Sequence, residues 1–282
     1  MITEKKSLSD KDASDIINDM NNVLIEETMI GNMMRSYFVV KITNNWEPPK
    51  ITRIVKDIIT IIKLKFFVNK TSLINPDFEK INGLPLLTFI KNVKHLYNLN
   101  KSIYDLIEGA KFCLALDKDL IKSNINKEKL IFLNQLKSIY DFSIKKNDRE
   151  SINSILSIFI RSLKTYGLSK IHIISFYLEL RYQIAVFKTF KTIFNRYKPS
   201  FILAETDAFG SLSPIITAAK QSGIKTFIHT HGPIIHEIGV KPLIADEIFI
   251  WGQFHYDYLQ NIGIDENKMH ITGAPHFKEG LT

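Results

Sequence analysis

The sequence predicts an α/β protein with a large, mainly helical region over residues 1–198 and a parallel sheet assembled over residues 199–282. Short apolar runs, FILAE (201–205), TFIHT (226–230) and EIFIW (247–251), recur at intervals of helix-forming sequence, the alternation of parallel strands joined by helices. Ser, Gly and Pro punctuate those intervals at the places where helices start and stop. Upstream of Lys198-Pro199, apolar residues recur at helical spacing instead.

From the N-terminus, the helical region is broken by turn-forming clusters at 44–49, 75–77, 82–85 and 145–148. Two segments, 36–42 (SYFVVKI) and 64–68 (LKFFV), are rich in aromatic and β-branched residues and read either as short strands or as buried helix. Leu178, Ile184, Phe187, Phe190 and Phe194 then fall on one helical stripe that must stop near Lys198-Pro199. Part of this region is expected to begin the sheet domain. Beyond the proline, 201–205 is the first strand. Ser213 and Pro214 suit an N-cap and a first helical residue, and Ser222-Gly223 ends that helix. The second and third strands are 226–230 and 247–251, followed by a helix over 253–261 and a fourth strand over 268–272.

Composition narrows the classes of function. The chain has 282 residues of which 45% are apolar, enough to bury a substantial core. Its one cysteine, Cys113, excludes a disulfide framework and a Cys-based zinc site and fits a reducing cytoplasm. No uncharged apolar stretch is long enough to span a bilayer, and the first residues lack a basic-then-apolar leader. The most apolar helical stretch, 51–68, carries Arg53, Lys56, Asp57, Lys63 and Lys65, which suit a membrane surface and not its interior. Charge is uneven: the overall +8 divides into −4 over residues 1–30, +16 over 31–200 and −4 over 201–282. The basic middle section is either a set of solvated lysine-rich helix faces or a surface for a polyanionic neighbour.

Ligands of parallel α/β sheets bind at the carboxyl ends of the strands. Those ends carry Glu205, Thr206 and Asp207, then His229, His231 and Gly232, then Trp251 and Gly252, then Gly273 and Pro275. Three weaker signals compete with them. His229, His231 and His236 raise a metal site, which the lack of a supporting cysteine or an HExxH pattern disfavours. Asp117-Lys118-Asp119 has the form of a metal-and-nucleotide motif but sits in helix-like sequence. No P-loop or dinucleotide glycine fingerprint is present. Trp251, Phe254, Tyr256 and Tyr258 could stack a sugar or a base, although Phe254 and Tyr258 are spaced as a buried helical stripe.

Taken in order, KPSFILAETDAFG, AAKQSGIKTFIHTHGPI, LIADEIFIWGQFHYDYLQNIGI and KMHITGAPHF resemble the succession of elements in bacterial capsule and teichoic-acid-type transferases of the GT-B fold. The shared pieces are Lys-Pro before a strand, Ala-Ala-Lys with Gly-Ile before the next, His-Gly at its end, Ala-Asp, Trp-Gly and Gly-x-Pro. They cover roughly 85 of the 282 residues, and residues 1–196 carry no matching motif. The resemblance implies a Rossmann-like N-terminal half of a GT-B enzyme, with His231 as the base on an acceptor hydroxyl, a role a neutral imidazole can perform near neutral pH. Asp207 or Glu205, on the neighbouring strand end, would orient that ring or bind sugar hydroxyls, with Asp207 taken as the catalytic partner. Glu205, Thr206, His229, Gly232, Trp251 and Gly273 would bind substrate, with no metal.

In the resembling enzymes a second Rossmann domain follows the Gly-x-Pro strand and holds the nucleotide-activated donor. Here the sequence stops at Thr282, seven residues after Pro275, so this half is expected to bind no cofactor itself. The implied partners are a nucleotide-sugar or CDP-polyol donor held with that second domain, a lipid-linked or polymeric acceptor, and an anionic membrane surface, but no nucleic acid. The expected place is the cytoplasm, at most peripheral to the inner face of the cell membrane. Two other functions fit the same residues: a nucleotide-sugar 2-epimerase-like fragment, and a basic, non-enzymatic module for membrane or nucleic acid.

Overall fold

The computed structural model describes residues 9–43, 50–52, 54–56, 58–59, 76–89, 103–104, 107–109, 111–115, 130–132, 140–166, 169–208, 210–230, 232 and 237–274. The architecture is mixed α/β. Seven strands, β3 (Leu86–Phe89), β4 (Phe112–Ala115), β5 (Leu130–Phe132), β6 (Phe201–Ala204), β7 (Lys225–His229), β8 (Glu247–Ile250) and β9 (Met269–Ile271), form one sheet in the order β5-β4-β3-β6-β7-β8-β9. Every neighbouring pair is parallel. A short antiparallel hairpin, β1 (Leu24–Ile25) and β2 (Thr28–Met29), stands apart from it. Numbered from β3, the first six strands follow the order 3-2-1-4-5-6 of doubly wound dinucleotide-type sheets, with β9 added as a seventh, and the chain reverses direction across the sheet between β3 and β6.

Three of the seven strands therefore come from the stretch whose texture reads as helical. They are short and flanked by apolar sequence, so periodicity had no polar alternation to reveal them. Of the two ambiguous segments, 36–42 lies inside helix α3 (Arg35–Thr43), while 64–68 is outside the described residues. Of the 51–68 stretch, residues 51–52, 54–56 and 58–59 are helical, and Ile51, Val55, Ile58 and Ile59 are exposed. The turn cluster at 145–148 is instead the start of helix α4 (Lys146–Tyr166), where Asp148 sits in the first turn and pairs with the buried Lys188 ammonium at 2.7 Å.

Among the described residues, further α-helices are α1 (Asp10–Asn21), α2 (Ile30–Met33), α5 (Lys170–Arg196), α6 (Leu212–Gln221) and α7 (Gln253–Asn261). Local chemistry fixes their ends. Ser9 and Asp12 exchange side-chain-to-amide bonds as a capping box on α1. Gly223 ends α6 in the left-handed region at φ 72°, and Ile224 N donates back to Ala219 O at 3.0 Å. The N-cap of α6 is Ser211 and not Ser213, because the Ser213 hydroxyl faces inward and donates to Asn32 O at 3.0 Å.

Two apolar cores hold these layers. The larger joins α1, α3, α4 and α5 to the β3–β6 part of the sheet. At its centre Phe159 stacks on Phe176 with ring centroids 3.9 Å apart, and Tyr37 meets both edge-on. The smaller core lies between α6, α7 and one face of the β6–β9 strands, where Ala204, Ile228, Ile248, Ile250 and Met269 meet Leu212, Ile216 and Leu259. The opposite face of the same strands carries a row of half-buried rings, Phe201, Phe227, Phe249 and His270, each 5.5–5.8 Å from the next.

Asp246 fixes the approach to β8. Its Oδ2 accepts the Thr226 amide and hydroxyl, both at 2.8 Å, and its Oδ1 lies 3.2 Å from the Lys220 ammonium. Burial alone pushes this carboxyl's pKa up, but the Thr226 bonds and Lys220 outweigh it and hold it below the ordinary carboxylate range. A depressed folded pKa means the stabilisation is present above the unfolded pKa of about 4 and is lost as pH falls through the folded value. Asp246→Asn should cost about 2 kcal/mol at pH 7 by urea denaturation, and the gap from the parent should close as pH is lowered below about 4.

The hairpin turn carries backbone strain. Glu26 and Glu27, at φ 48° and 65°, occupy the two central positions of a two-residue turn that favours Asn-Gly. Glu26 is compensated by Lys145 at 2.9 Å, whereas Glu27 is exposed. Glu27→Gly relieves the left-handed strain and should raise unfolding stability by about 0.5–1 kcal/mol, read from the shift in the urea midpoint.

Candidate functional site

The carboxyl ends of β6 to β9 bring most of the sequence-predicted residues to one edge, adjoining the point between β3 and β6 where strand order reverses. Glu205 and Thr206 leave β6 buried, at 4% and 8% exposure. The Thr206 hydroxyl turns back to accept the Ala208 amide at 3.1 Å and so tightens the loop into α6. His229 closes β7 and is also buried. Thr230 extends the ladder, its amide donating to Phe249 O at 2.9 Å and its carbonyl accepting the indole N–H of Trp251 at 2.7 Å. That bond pins the half-buried Trp251 ring over the end of β7. His231 lies outside the described residues, as do His236, Pro275 and Asp117 to Asp119.

Three glycines complete the edge. Gly232, Gly252 and Gly273 follow β7, β8 and β9, and a Cβ built on any of them would meet nothing within 4 Å. The strand ends thus present bare, accessible backbone, the kind of surface to which a ligand can draw close. Gly273 alone of the three needs the left-handed region, at φ 79°.

Asp207 plays a different part from the one expected of it. Its carboxylate has no solvent exposure. Oδ1 takes the Arg35 guanidinium at 2.8 Å, and Oδ2 accepts the backbone amides of Ile244 and Ala245 at 2.5 and 3.0 Å. Arg35, equally enclosed, uses its other donors on Asp207 O at 3.0 Å, Pro242 O at 2.6 Å and, more weakly, Asn32 O at 3.4 Å. A carboxylate sealed in this way is closed to a substrate hydroxyl. Asp207 is a structural tie between α3, the loop after β6 and the segment leading into β8.

Phe254 is also corrected. It is 80% exposed, and the inward face of α7 is set by His255 and Leu259, one turn apart. The spacing of Phe254 and Tyr258 is that of a buried stripe, but the helix is rotated so that Phe254 projects into solvent, its ring centroid 6.1 Å from that of His255. Among the described residues no group of three or more His, Cys, Asp or Glu side chains could hold a metal ion, and no helix is long and apolar enough to cross a membrane.

Sequence reasoning missed Arg35 and His255. Arg35 had no local signal, since its ion-pair partner is 172 residues away. His255 could have been found from its place in the first turn of a helix that begins at a glycine. Burial depresses the pKa of His255, so its ring is neutral near pH 7. Fold and edge together define an α/β protein whose parallel sheet runs in doubly wound order and whose carboxyl edge on β7–β9 carries three bare glycines. No known protein family and no curated protein matches the chain.

Removing one partner of the buried pair leaves the other charge uncompensated. Arg35→Met should lower unfolding stability by about 3–5 kcal/mol in urea denaturation. A paired Arg35→Met, Asp207→Leu replacement should recover part of that loss, because no orphaned charge remains, although the amides of Ile244 and Ala245 then lose their acceptor.

Proposed function

We propose that this chain is the acceptor-side half of a glycosyl- or glycerophosphotransferase of bacterial surface-polysaccharide synthesis. The observation that supports the reading best is the conjunction of a parallel sheet in doubly wound order with a carboxyl edge of bare glycines, a pinned tryptophan and the strand-end His229. Its sequence likeness to GT-B transferases falls on the four strands that build this edge. In this reading the sugar or polyol of the acceptor lies against Trp251, close to the backbone of Gly232 and Gly273. His231, next to Gly232, takes the proton from the attacking hydroxyl. The nucleotide-sugar or CDP-polyol donor is held by a second α/β domain facing this edge, and the reaction proceeds by direct displacement with inversion.

The roles of the polar groups divide accordingly. Asp207 and Arg35 hold the loop that frames the edge, and His231 carries the proton. The basic section over residues 31–200 faces a phosphate-linked acceptor or the anionic lipid surface that carries it. In this reading the protein works at the cytoplasmic side of the membrane.

Transfer of label from a nucleotide-activated polyol or sugar to a lipid-linked acceptor, assayed with this chain joined to a donor-binding domain, tests the reading. His231→Ala should reduce the rate by about 10²–10⁴-fold with little change in stability. Binding of an uncharged acceptor analogue by the chain itself should respond only modestly to salt. A steep salt dependence that ignores His231→Ala would instead identify a basic binding module, since such affinity comes from many lysine contacts and not from one histidine.

A further inference from the structure

Helices on the surface of a water-soluble protein turn their apolar stripe inward. The helical residues 51–52, 54–56 and 58–59 do the reverse. On a helix of 3.6 residues per turn, Ile54, Ile58, Ile51, Val55 and Ile59 fall in that order along one apolar arc about 140° wide. Of these five only Ile54, at one margin of the arc, is packed away, at 7% exposure. Ile51, Val55, Ile58 and Ile59 are 37–69% exposed. Thr52 and Lys56 continue around the helix from the other margin and are exposed as well.

Apolar side chains exposed singly need no partner, and Ile160 on α4 and Ile174 on α5 are of that kind. A contiguous stripe of β-branched side chains is another matter, because each turn of the helix adds to one patch. Four of the eleven large apolar side chains exposed among the described residues lie between positions 51 and 59, on this one face.

Charge decides what the stripe meets. Residues 50–70 hold six Lys or Arg and one acid, Asp57. Two copies of the chain brought together through this stripe would set cation against cation. An anionic bilayer answers both halves of the pattern: the apolar side chains enter the acyl boundary, and the lysines stay level with the phosphates while their methylene stems are buried.

We propose that the stripe of Ile51, Val55, Ile58 and Ile59 docks the protein on an anionic phospholipid surface, with the helix lying in the plane of the interface and these side chains inserted. Ile54, buried in the protein, couples the inserted helix to the rest of the chain. The transferase reading supplies the reason a lipid surface is approached, and the proposal rests on it in that respect alone. It adds the contact that the spread of basic charge does not name.

The test is sedimentation of the full chain with vesicles of phosphatidylcholine alone and of phosphatidylcholine and phosphatidylglycerol in equal parts. The chain should partition onto the mixed vesicles and much less onto phosphatidylcholine. Ile51→Gln with Val55→Gln keeps good helix formers at two exposed positions, so the urea midpoint should stay with the parent while partitioning falls about tenfold or more. A second pair, Ile58→Gln with Ile59→Gln, should do the same, so the outcome does not hang on one variant. Ile160→Gln, an exposed isoleucine elsewhere, should leave partitioning unchanged. Failure to bind either vesicle, equal binding to both, or binding to the mixed vesicles that survives both paired variants overturns the proposal, the last by showing that lysines alone hold the lipid. A concentration-dependent dimer in sedimentation equilibrium, abolished by the same pairs, would assign the stripe to a second copy and overturn it too. Vesicle binding is read without donor or turnover. Its failure leaves transfer testable on a soluble acceptor, and failure of transfer leaves the docking stripe standing.

Discussion

A guanidinium with no solvent contact must have its donors answered by the protein, and Arg35 meets that demand with groups from several parts of the chain. Asp207, from the loop after β6, gives its carboxylate and its carbonyl; Pro242 gives the carbonyl that leads toward β8; Asn32 gives one from the end of α2. The second oxygen of Asp207 in turn organises the amides of Ile244 and Ala245. Through this one buried pair the N-terminal helices, the switch-point loop and the start of β8 share a single geometry. An enclosed ion pair adds little net stability compared with apolar packing, but its hydrogen-bond directions admit few alternatives. The pair holds still the loop that borders the carboxyl edge of the sheet.

The edge itself is built on the opposite principle. Where Asp207 is saturated and sealed, Gly232, Gly252 and Gly273 leave backbone uncovered. Trp251 stands between the two regimes, fixed by its indole bond to Thr230 and still half-exposed on its ring. Rigid support behind an open surface is the arrangement that positions a ligand without blocking its approach.

The C-terminal third was legible because its strands are bounded by turn chemistry. Lys198-Pro199 stops a helix, Gly223 turns out of the next, and the runs at 201, 226 and 247 carry the β-branched and aromatic residues that strands favour. The strands β3, β4 and β5 were not legible: four residues or fewer of LLTF, FCLA and LIF, buried among apolar helices, have no period to measure. The gathering of Glu205, Thr206, His229, Trp251 and the glycines at one edge could be read because parallel sheets place strand ends together. The tie of Asp207 to Arg35 could not, since no local pattern links residues so far apart in the chain. Phe254 went astray because spacing fixes which residues share a helix face but not which face turns inward.

The central position of β3 has a temporal consequence. Thr88 of β3 bonds to Leu203 of β6, 115 residues later. On a ribosome adding about 5–20 residues per second, β3, β4 and β5 emerge on the order of ten seconds before the strand that covers the inner edge of β3 exists. During that interval the strand destined for the middle of the sheet is an open edge, with unpaired amides and carbonyls on one side. A nascent chain of this protein passes through a stage in which its future centre is its stickiest boundary, and shielding of β3 until β6 arrives becomes a condition of a good yield.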